Sequence, residues 1–411
     1  MDQLGPKAGG IETRESWVVA WVALAVLTVS NGAPLATVVA LKPIAAEFGT
    51  ARSAPALAAS LTYLGAGTGG IAMGWIAGRI GLRRVAMACG LMIASGLVLA
   101  SYGGLYQLYA SNLLLIGLLG GSGMFAPTVA YVSRWFDRHR GSAVALVASG
   151  PFAAGAVWPV LLQVCVDEFG WRRTMRIFAL IVAVTIPLLA LVFFRAPPDT
   201  AMSRTAPVGA MAFSPVAGIP PNLVMVVLAA AIFCCCTTMS MPLAHIVAFC
   251  SDIGIGPRPG AAMLSLQLAA GVLSQQFWGW MADRLGSLRT ILFASASMAA
   301  TMVGFLLTQD EIGLFTVSAL FGLAFGGLIP GYILAVREMF PVAEASWRIP
   351  IVMFPGAVGM AAGGWIAGLI YDQFGFYAPS FAAGIAFNLV NLALIGALVP
   401  RHRPPRLAAA T

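Results

Sequence analysis

Charge is what this sequence lacks most. Only 9% of its 411 residues are Asp, Glu, Lys or Arg, against roughly a quarter in an ordinary soluble domain. Its 23 basic and 15 acidic side chains cannot clothe a water-facing surface over a body that is 60% hydrophobic. A soluble fold is excluded, and the chain reads as an integral membrane protein. The formal net charge of +8 would point to nucleic acid in a soluble protein. Here it fits basic loops facing an anionic lipid leaflet, and no nucleic-acid partner is expected.

Other shortages narrow the function. Histidine occurs three times, at His139, His245 and His402. A membrane enzyme needs clustered intramembrane acids, histidines or a nucleophile–base pair, and no such cluster is present. Cys89, Cys165, Cys234, Cys235, Cys236 and Cys250 lie in or at the ends of apolar runs without metal-ligand spacing. They read as small buried hydrophobes, with no metal and no cofactor implied. No Gly-x-x-x-x-Gly-Lys-Ser/Thr loop occurs, so nucleotide hydrolysis gives way to a gradient as energy source. The tails are too short for the extra domain a membrane sensor would carry. The first 16 residues are polar, and the apolar run after them is too long for a cleaved signal peptide.

What is present is a series of apolar runs of bilayer length, about 20 residues each. There are twelve: 17–41, 55–78, 85–105, 109–133, 143–166, 174–195, 222–248, 260–282, 289–308, 312–336, 348–371 and 379–399. The longest break, rich in Pro, Ala and Ser, divides them six and six. The expected organisation is a tail (1–16), a six-helix bundle (17–195), a linker (196–221), a second six-helix bundle (222–399) and a closing tail (400–411).

The two halves repeat. Gly74-Trp75-Ile76-Ala77-Gly78-Arg79-Ile80-Gly81-Leu82-Arg83-Arg84 after span two matches Gly279-Trp280-Met281-Ala282-Asp283-Arg284-Leu285-Gly286-Ser287-Leu288-Arg289 after span eight, at an offset of 205 residues. The same offset carries Asp167, Phe169 and Gly170 onto Asp372, Phe374 and Gly375. Two motifs at one offset indicate duplication. Basic residues set the orientation. With the N-terminus cytoplasmic, 17 of the 23 fall inside, and Lys42, Arg52, Arg172, Arg173, Arg176 and Arg258 fall outside. Both termini and the linker are therefore expected in the cytoplasm. The Ala- and Gly-rich chain with short loops suggests a bacterial inner membrane.

Two six-span halves with a Gly-x-x-x-Asp-Arg-x-Gly turn resemble the major facilitator superfamily: an all-α membrane protein of twelve helices in two pseudo-repeated bundles. The second copy of the turn has Asp283 and Arg284; the first has Arg79 but Gly78 in place of the acid. These residues, by resemblance, gate the cytoplasmic side. A narrower likeness runs through Lys42-Pro43, Glu47-Phe48-Gly49, Gly121-Ser122-Gly123, Pro127, Trp135-Phe136-Asp137-Arg138-His139-Arg140-Gly141, Ala148-Ser149-Gly150, and Gly368-Leu369-Ile370-Tyr371-Asp372 with Gly375, Tyr377 and Phe381. It resembles the monocarboxylate transporter and oxalate/formate exchanger branch, and implies transport of a small organic carboxylate.

His245 and Asp252 stand seven residues apart, two turns along one helix face. Relatives in this branch have a His and an Asp so arranged, which implies substrate or proton handling. They also carry an Arg in span eight that meets the carboxylate, and the corresponding residue here is Gln275. Gln donates hydrogen bonds but brings no charge, which leaves open a carboxylate balanced by another cation such as His245, a neutral or protonated solute, or impaired transport. Binding between the halves near the midplane adds Asn31, in the Ser30-Asn31-Gly32-Ala33-Pro34 break, and Thr128, Tyr332 and Phe354. The glycine faces Gly70/Gly74/Gly78 and Gly364/Gly368 read as close helix contacts. The expectation is a monomeric secondary transporter, not an enzyme, moving a monocarboxylate by alternating access with proton symport. The alternative is exchange or export of a neutral or amphipathic molecule.

Overall fold

A computed structural model describes residues 12–136, 139–195 and 218–401. Lys7, Asp137, Arg138, Arg204, His402, Arg403, Arg406 and most of the linker lie outside the described residues. Those described form helices and short turns, without a strand. Bilayer hydrocarbon cannot hydrogen-bond an open backbone, so an apolar run of this length must satisfy its peptide groups internally.

We number the twelve long segments α1 (Arg14–Val39), α2 (Ser53–Ile80), α3 (Leu82–Tyr102), α4 (Leu105–Val132), α5 (Arg140–Phe169), α6 (Trp171–Phe193), α7 (Pro221–Asp252), α8 (Pro257–Leu285), α9 (Ser287–Leu307), α10 (Glu311–Met339), α11 (Val342–Phe374) and α12 (Ala378–Leu398). Ten are long and apolar enough to cross a membrane as single spans. The other two differ for separate reasons. α2 is bent by 54° between Ser53–Gly70 and Ala72–Ile80. α8 carries Ser265, Gln267, Ser274, Gln275 and Gln276, which dilute its apolar character. Besides α2, four segments are irregular within: α1 breaks for one residue at Asn31, α4 opens into a π-helical stretch at Ser111–Gly120, α5 steps at Ser149, and α10 breaks at Gly326 and Gly327.

Each half has its own core. One gathers Leu27, Ile44, Ile93, Leu97 and Phe178, the other Leu228, Phe305, Phe321, Tyr332 and Phe381. Val38, Leu41, Ala56 and Ala59 of the first half join the second core, so the halves share an apolar seam at the end remote from the linker. Across the boundary α2 packs on α11 and α5 on α8. Asn112 fastens the first bundle: its Oδ1 accepts from Thr62 (3.0 Å) and Thr37 (3.4 Å) while its Nδ2 donates to the Leu108 carbonyl (2.9 Å). A buried amide with its capacity used in this way holds three helices in register.

The glycine faces divide. A Cβ on Gly368 would sit 2.9 Å from Ser53 Cα, and one on Gly364 3.1 Å from Ser60 Oγ, so that face does make close contacts. The span-two face does not: Cβ atoms on Gly70, Gly74 and Gly78 would meet nothing within 4 Å. The close approach lies earlier on α2, where a Cβ on Gly65 would fall 2.2 Å from the Leu113 carbonyl oxygen. On α11, a Cβ on Gly363 would fall 2.1 Å from the Thr237 carbonyl oxygen. Gly363→Val should therefore cost about 1–3 kcal/mol or more through overpacking against backbone, seen as a lower melting temperature in detergent. Gly70→Ala should leave it equal or raised, by about 0.5–1 kcal/mol of helix propensity.

Candidate functional site

Each half ends its fifth helix with an aspartate, and each aspartate meets the second helix of the other half. Asp372, at the end of α11, takes the backbone N–H groups of Arg52 (2.8 Å) and Ser53 (2.9 Å) at the start of α2. A carboxylate there satisfies orphan donors and complements the helix dipole. Asp167, at the end of α5, takes Arg258 Nε at 2.7 Å at the start of α8, with Glu168 at 3.4 Å from the same guanidinium. The offset of 205 relates Asp167 to Asp372 and Ser53 to Arg258, so duplication built both junctions at the same end.

Between them lies the strongest contact of the seam. Asp252, where α7 ends, holds Arg52 through both guanidinium nitrogens and Lys42 Nζ at 2.9 Å. The Arg52 and Asp252 side chains keep only 16% and 21% of their exposure, so solvent screens this fork little. Arg52 also lies 3.9 Å above the centre of the Tyr371 ring. Burial opposes its charge, but hydrogen bonds to Asp252 and Tyr377 outweigh that and hold its pKa above the ordinary value.

A relay leads inward from Arg52. Its Nη1 donates to Tyr377 Oη (3.1 Å), which faces His245 Nδ1 at 3.1 Å, and His245 Nε2 faces the Gly364 carbonyl at 2.8 Å. A carbonyl only accepts, so Nε2 carries the proton, and Nδ1 of the neutral ring accepts from Tyr377. Burial pushes the Tyr377 hydroxyl pKa up, keeping that donor protonated. His245 is fully buried, one layer behind a cavity whose wall includes Gly364, Ser240 and Ala244.

The cavity measures about 210 Å³ and lies between the halves. Leu35, Val38, Phe152, Leu264, Leu268, Phe325, Met239 and Met360 make it apolar; Asn31, Ser60, Tyr63 and Ser240 supply its polar side chains. None of its lining residues is charged. Asn31 Nδ2 is spent on the Leu27 carbonyl (2.9 Å), which leaves Oδ1 as an acceptor. Ser240 is bound to the Met360 carbonyl.

Of the residues singled out by sequence, Asn31 lines the cavity, His245 backs it and Asp252 closes the seam. Thr128 is buried in the first bundle with its hydroxyl unpartnered. Tyr332 is sealed inside the second, donating to Asn391 Oδ1 (2.6 Å). Gln275 and Phe354 are absent from the cavity wall; Phe354 lies beside Gly67 of α2. At the linker end Arg79 stacks on Trp75 (3.7 Å) and Arg284 on Trp280 (4.2 Å), a pair related by the repeat. Asp283 is exposed and makes no ion pair with a described residue. Sequence reasoning missed Arg52, Tyr63 and Ser60. The repeat held a signal for Arg52, since each half puts a basic residue at the start of its second helix.

Two helical bundles tied at one end around a small central cavity define a membrane carrier. The sequence pattern of the Major Facilitator Superfamily matches residues 20–309 and 226–410, and the chain belongs to that family. It is 26% identical to monocarboxylate transporter 13 of Bos taurus over 76% of this chain and 72% of that one. To monocarboxylate transporter 11 of Homo sapiens it is 26% identical, over 92% and 80% of the two chains. Among solved structures it resembles a bacterial homologue of the human lysosomal transporter Spinster, inward-facing and occupied, with a TM-score of 0.74 at 12% identity over 97% of this chain and 100% of that one. A POT family transporter in complex with 5-aminolevulinic acid gives 0.73, also at 12% identity, over 97% and 98%.

Removing the acid at the centre of the seam should loosen it. With spin labels at Ala51→Cys and Phe376→Cys, and Cys165 replaced, Asp252→Asn should raise the long-distance population at least about fivefold, as expected for losing charged hydrogen bonds of about 1–3 kcal/mol. An unchanged distance distribution would show that Asp252 does not hold the ends together.

Proposed function

We propose that the protein moves a small organic monocarboxylate together with a proton, by alternating access. The observation that carries this is a cavity without charge behind a mouth that holds two cations. A bare carboxylate in an apolar, uncharged cavity keeps a desolvation penalty of several kcal/mol. Protonating a carboxylic acid of pKa near 4 at pH 7 costs about 4 kcal/mol. The neutral acid is then the cheaper species to carry. Tyr63 offers it a hydroxyl donor and Asn31 Oδ1 an acceptor for its acid proton, whereas a carboxylate would be repelled by that oxygen.

On this reading Lys42 and Arg52 do the work that a span-eight Arg does in the relatives the sequence resembles. Both sit on the first half and Asp252 on the second, so parting the halves presents two cations to an incoming anion. His245, neutral and joined to the mouth through Tyr377, stands where a proton passes between mouth and cavity. The names of the monocarboxylate transporters 11 and 13 support the substrate class. The excess of basic residues at the linker end supports a cytoplasmic linker and termini, in a bacterial inner membrane.

The test is uptake of labelled lactate-type acids into proteoliposomes. A proton gradient should drive accumulation, and an imposed membrane potential should not change it, because acid and proton cross as a neutral pair. Arg52→Gln should lower uptake about tenfold or more, the loss of roughly one charge-assisted contact. Gln275→Arg should leave it unchanged, because Gln275 is off the cavity. Uptake indifferent to the proton gradient would overturn symport. No uptake of any monocarboxylate by wild type would favour a second reading, exchange or export of a neutral or amphipathic solute, which the apolar cavity also suits.

A further inference from the structure

A second and larger cavity, about 710 Å³, opens at the linker end. Every residue lining it belongs to the first half, from the ends of α2, α4 and α6 and the start of α3. It therefore lies off the path between the halves. Its rim holds Arg83, Arg84, Arg134 and Arg195, and its wall includes Met87, Pro127 and Phe194. None of the four arginines forms an ion pair with a described residue, while seven such pairs occur elsewhere in the structure. The Arg195 carbonyl takes the Tyr131 hydroxyl at 2.7 Å, and Arg195 also borders a neighbouring groove with Arg14 and Glu15.

The second half is an internal control for what this place should hold. Gly81 and Gly286 are repeat partners with nearly the same backbone, φ 83° and 84°, and each starts the third helix of its half. In the second half that first turn already has an anion. Glu338, from the end of α10, accepts from the Ser287 backbone N–H (3.2 Å) and from its hydroxyl. In the first half the first turn of α3, Leu82–Arg83–Arg84, has no side-chain cap, and the end of α4 brings Arg134. Where one half carries a carboxylate, the other carries a ring of guanidiniums around a cavity.

We propose that this cavity binds a phosphate-bearing anion, with its charge on the four arginines and the free N–H groups of α3. Several guanidiniums converging from different helices suit a group with many acceptor oxygens, and a helix N-terminus adds donors and a favourable dipole. Phosphate chemistry reaches this end of the molecule either as a lipid headgroup or as a free anion. The apolar wall below the basic rim matches an amphipathic molecule, so an anionic phospholipid is the expected source.

The test measures melting temperature in nanodiscs of phosphatidylcholine alone, of phosphatidylcholine with about one-fifth phosphatidylglycerol, and of phosphatidylcholine with inorganic phosphate added. Wild type should melt higher by about 3 °C or more with phosphatidylglycerol, the shift expected of a ligand that binds only the folded state. Arg83→Gln with Arg134→Gln should abolish that rise while melting like wild type in phosphatidylcholine alone, where nothing fills the site. Arg289→Gln, the repeat partner of Arg84 in the half that has its own carboxylate, should keep the full rise. A rise reproduced by inorganic phosphate supports the anion site and assigns it to the free ion. An equal loss with Arg289→Gln would show unspecific attraction of basic residues to an anionic surface and overturn the proposal. No rise in wild type, or a full rise in the double variant, would overturn it as well.

Discussion

The structure turns on one carboxylate, Asp252, which holds two cations of the opposite half at the far end of the molecule. Among the described residues, the hydrogen bonds that cross between the bundles gather around it. Asp372 caps the start of α2 one residue from Arg52, and Asp167 meets Arg258 on the other flank. Such a seam is strong in one direction only. Half-buried charges attract at short range with little screening, yet each is costly to leave alone once exposed to a drying interface. The contact therefore favours two states, closed with its partners matched, or open enough for water or a substrate to replace them.

Duplication explains why the seam has this form. Each half ends its fifth helix with Asp and opens its second with a turn whose N–H groups or basic side chain face that Asp. The halves have since diverged in how they meet the same constraint. One junction uses backbone donors of a helix start; the other uses an Arg side chain. At the linker end the divergence is greater, because Glu338 fills a place in the second half that the first half leaves to arginines.

The fold was open to reading from the sequence because membrane insertion imposes length and apolarity on every span. Even there, α8 fell short of the composition of its neighbours: a helix shielded by α5 of the other bundle and α10 of its own tolerates the buried Ser265, Gln267 and Ser274 that lipid would not. The repeat and Asn31 at a helix interruption were legible. The site was less so. Which face of a helix meets the cavity depends on rotation and tilt, and a shift of one residue turns a side chain by about 100°. Thr128, Tyr332 and Phe354 sit at plausible depth and face elsewhere. The α2 glycines likewise repeat with helical spacing, but the helix bends between Gly70 and Ala72 and carries Gly74 and Gly78 onto an open wall. Arg52 was hidden for another reason: it lies in a connection, and only the fold brings it over Tyr371 and Tyr377.

On the proposed reading, the distance between where charge is recognised and where the solute rests is itself the coupling device. Parting the halves leaves Lys42 and Arg52 without Asp252, and an incoming carboxylate replaces what they lose. The same anion cannot go further as it is, because the cavity offers it no charge and an acceptor oxygen from Asn31. It moves on only when it has gained a proton, and at that moment it ceases to compete with Asp252 for the two cations. Protonation then serves two ends at once: it makes the solute fit the cavity, and it releases the cations to close the seam behind it. A carrier with an arginine in the cavity would hold the anion there instead, and would need a second event to let it go. Gln275, lying off the cavity, is consistent with a molecule that has moved its positive charge from the middle of the path to the door.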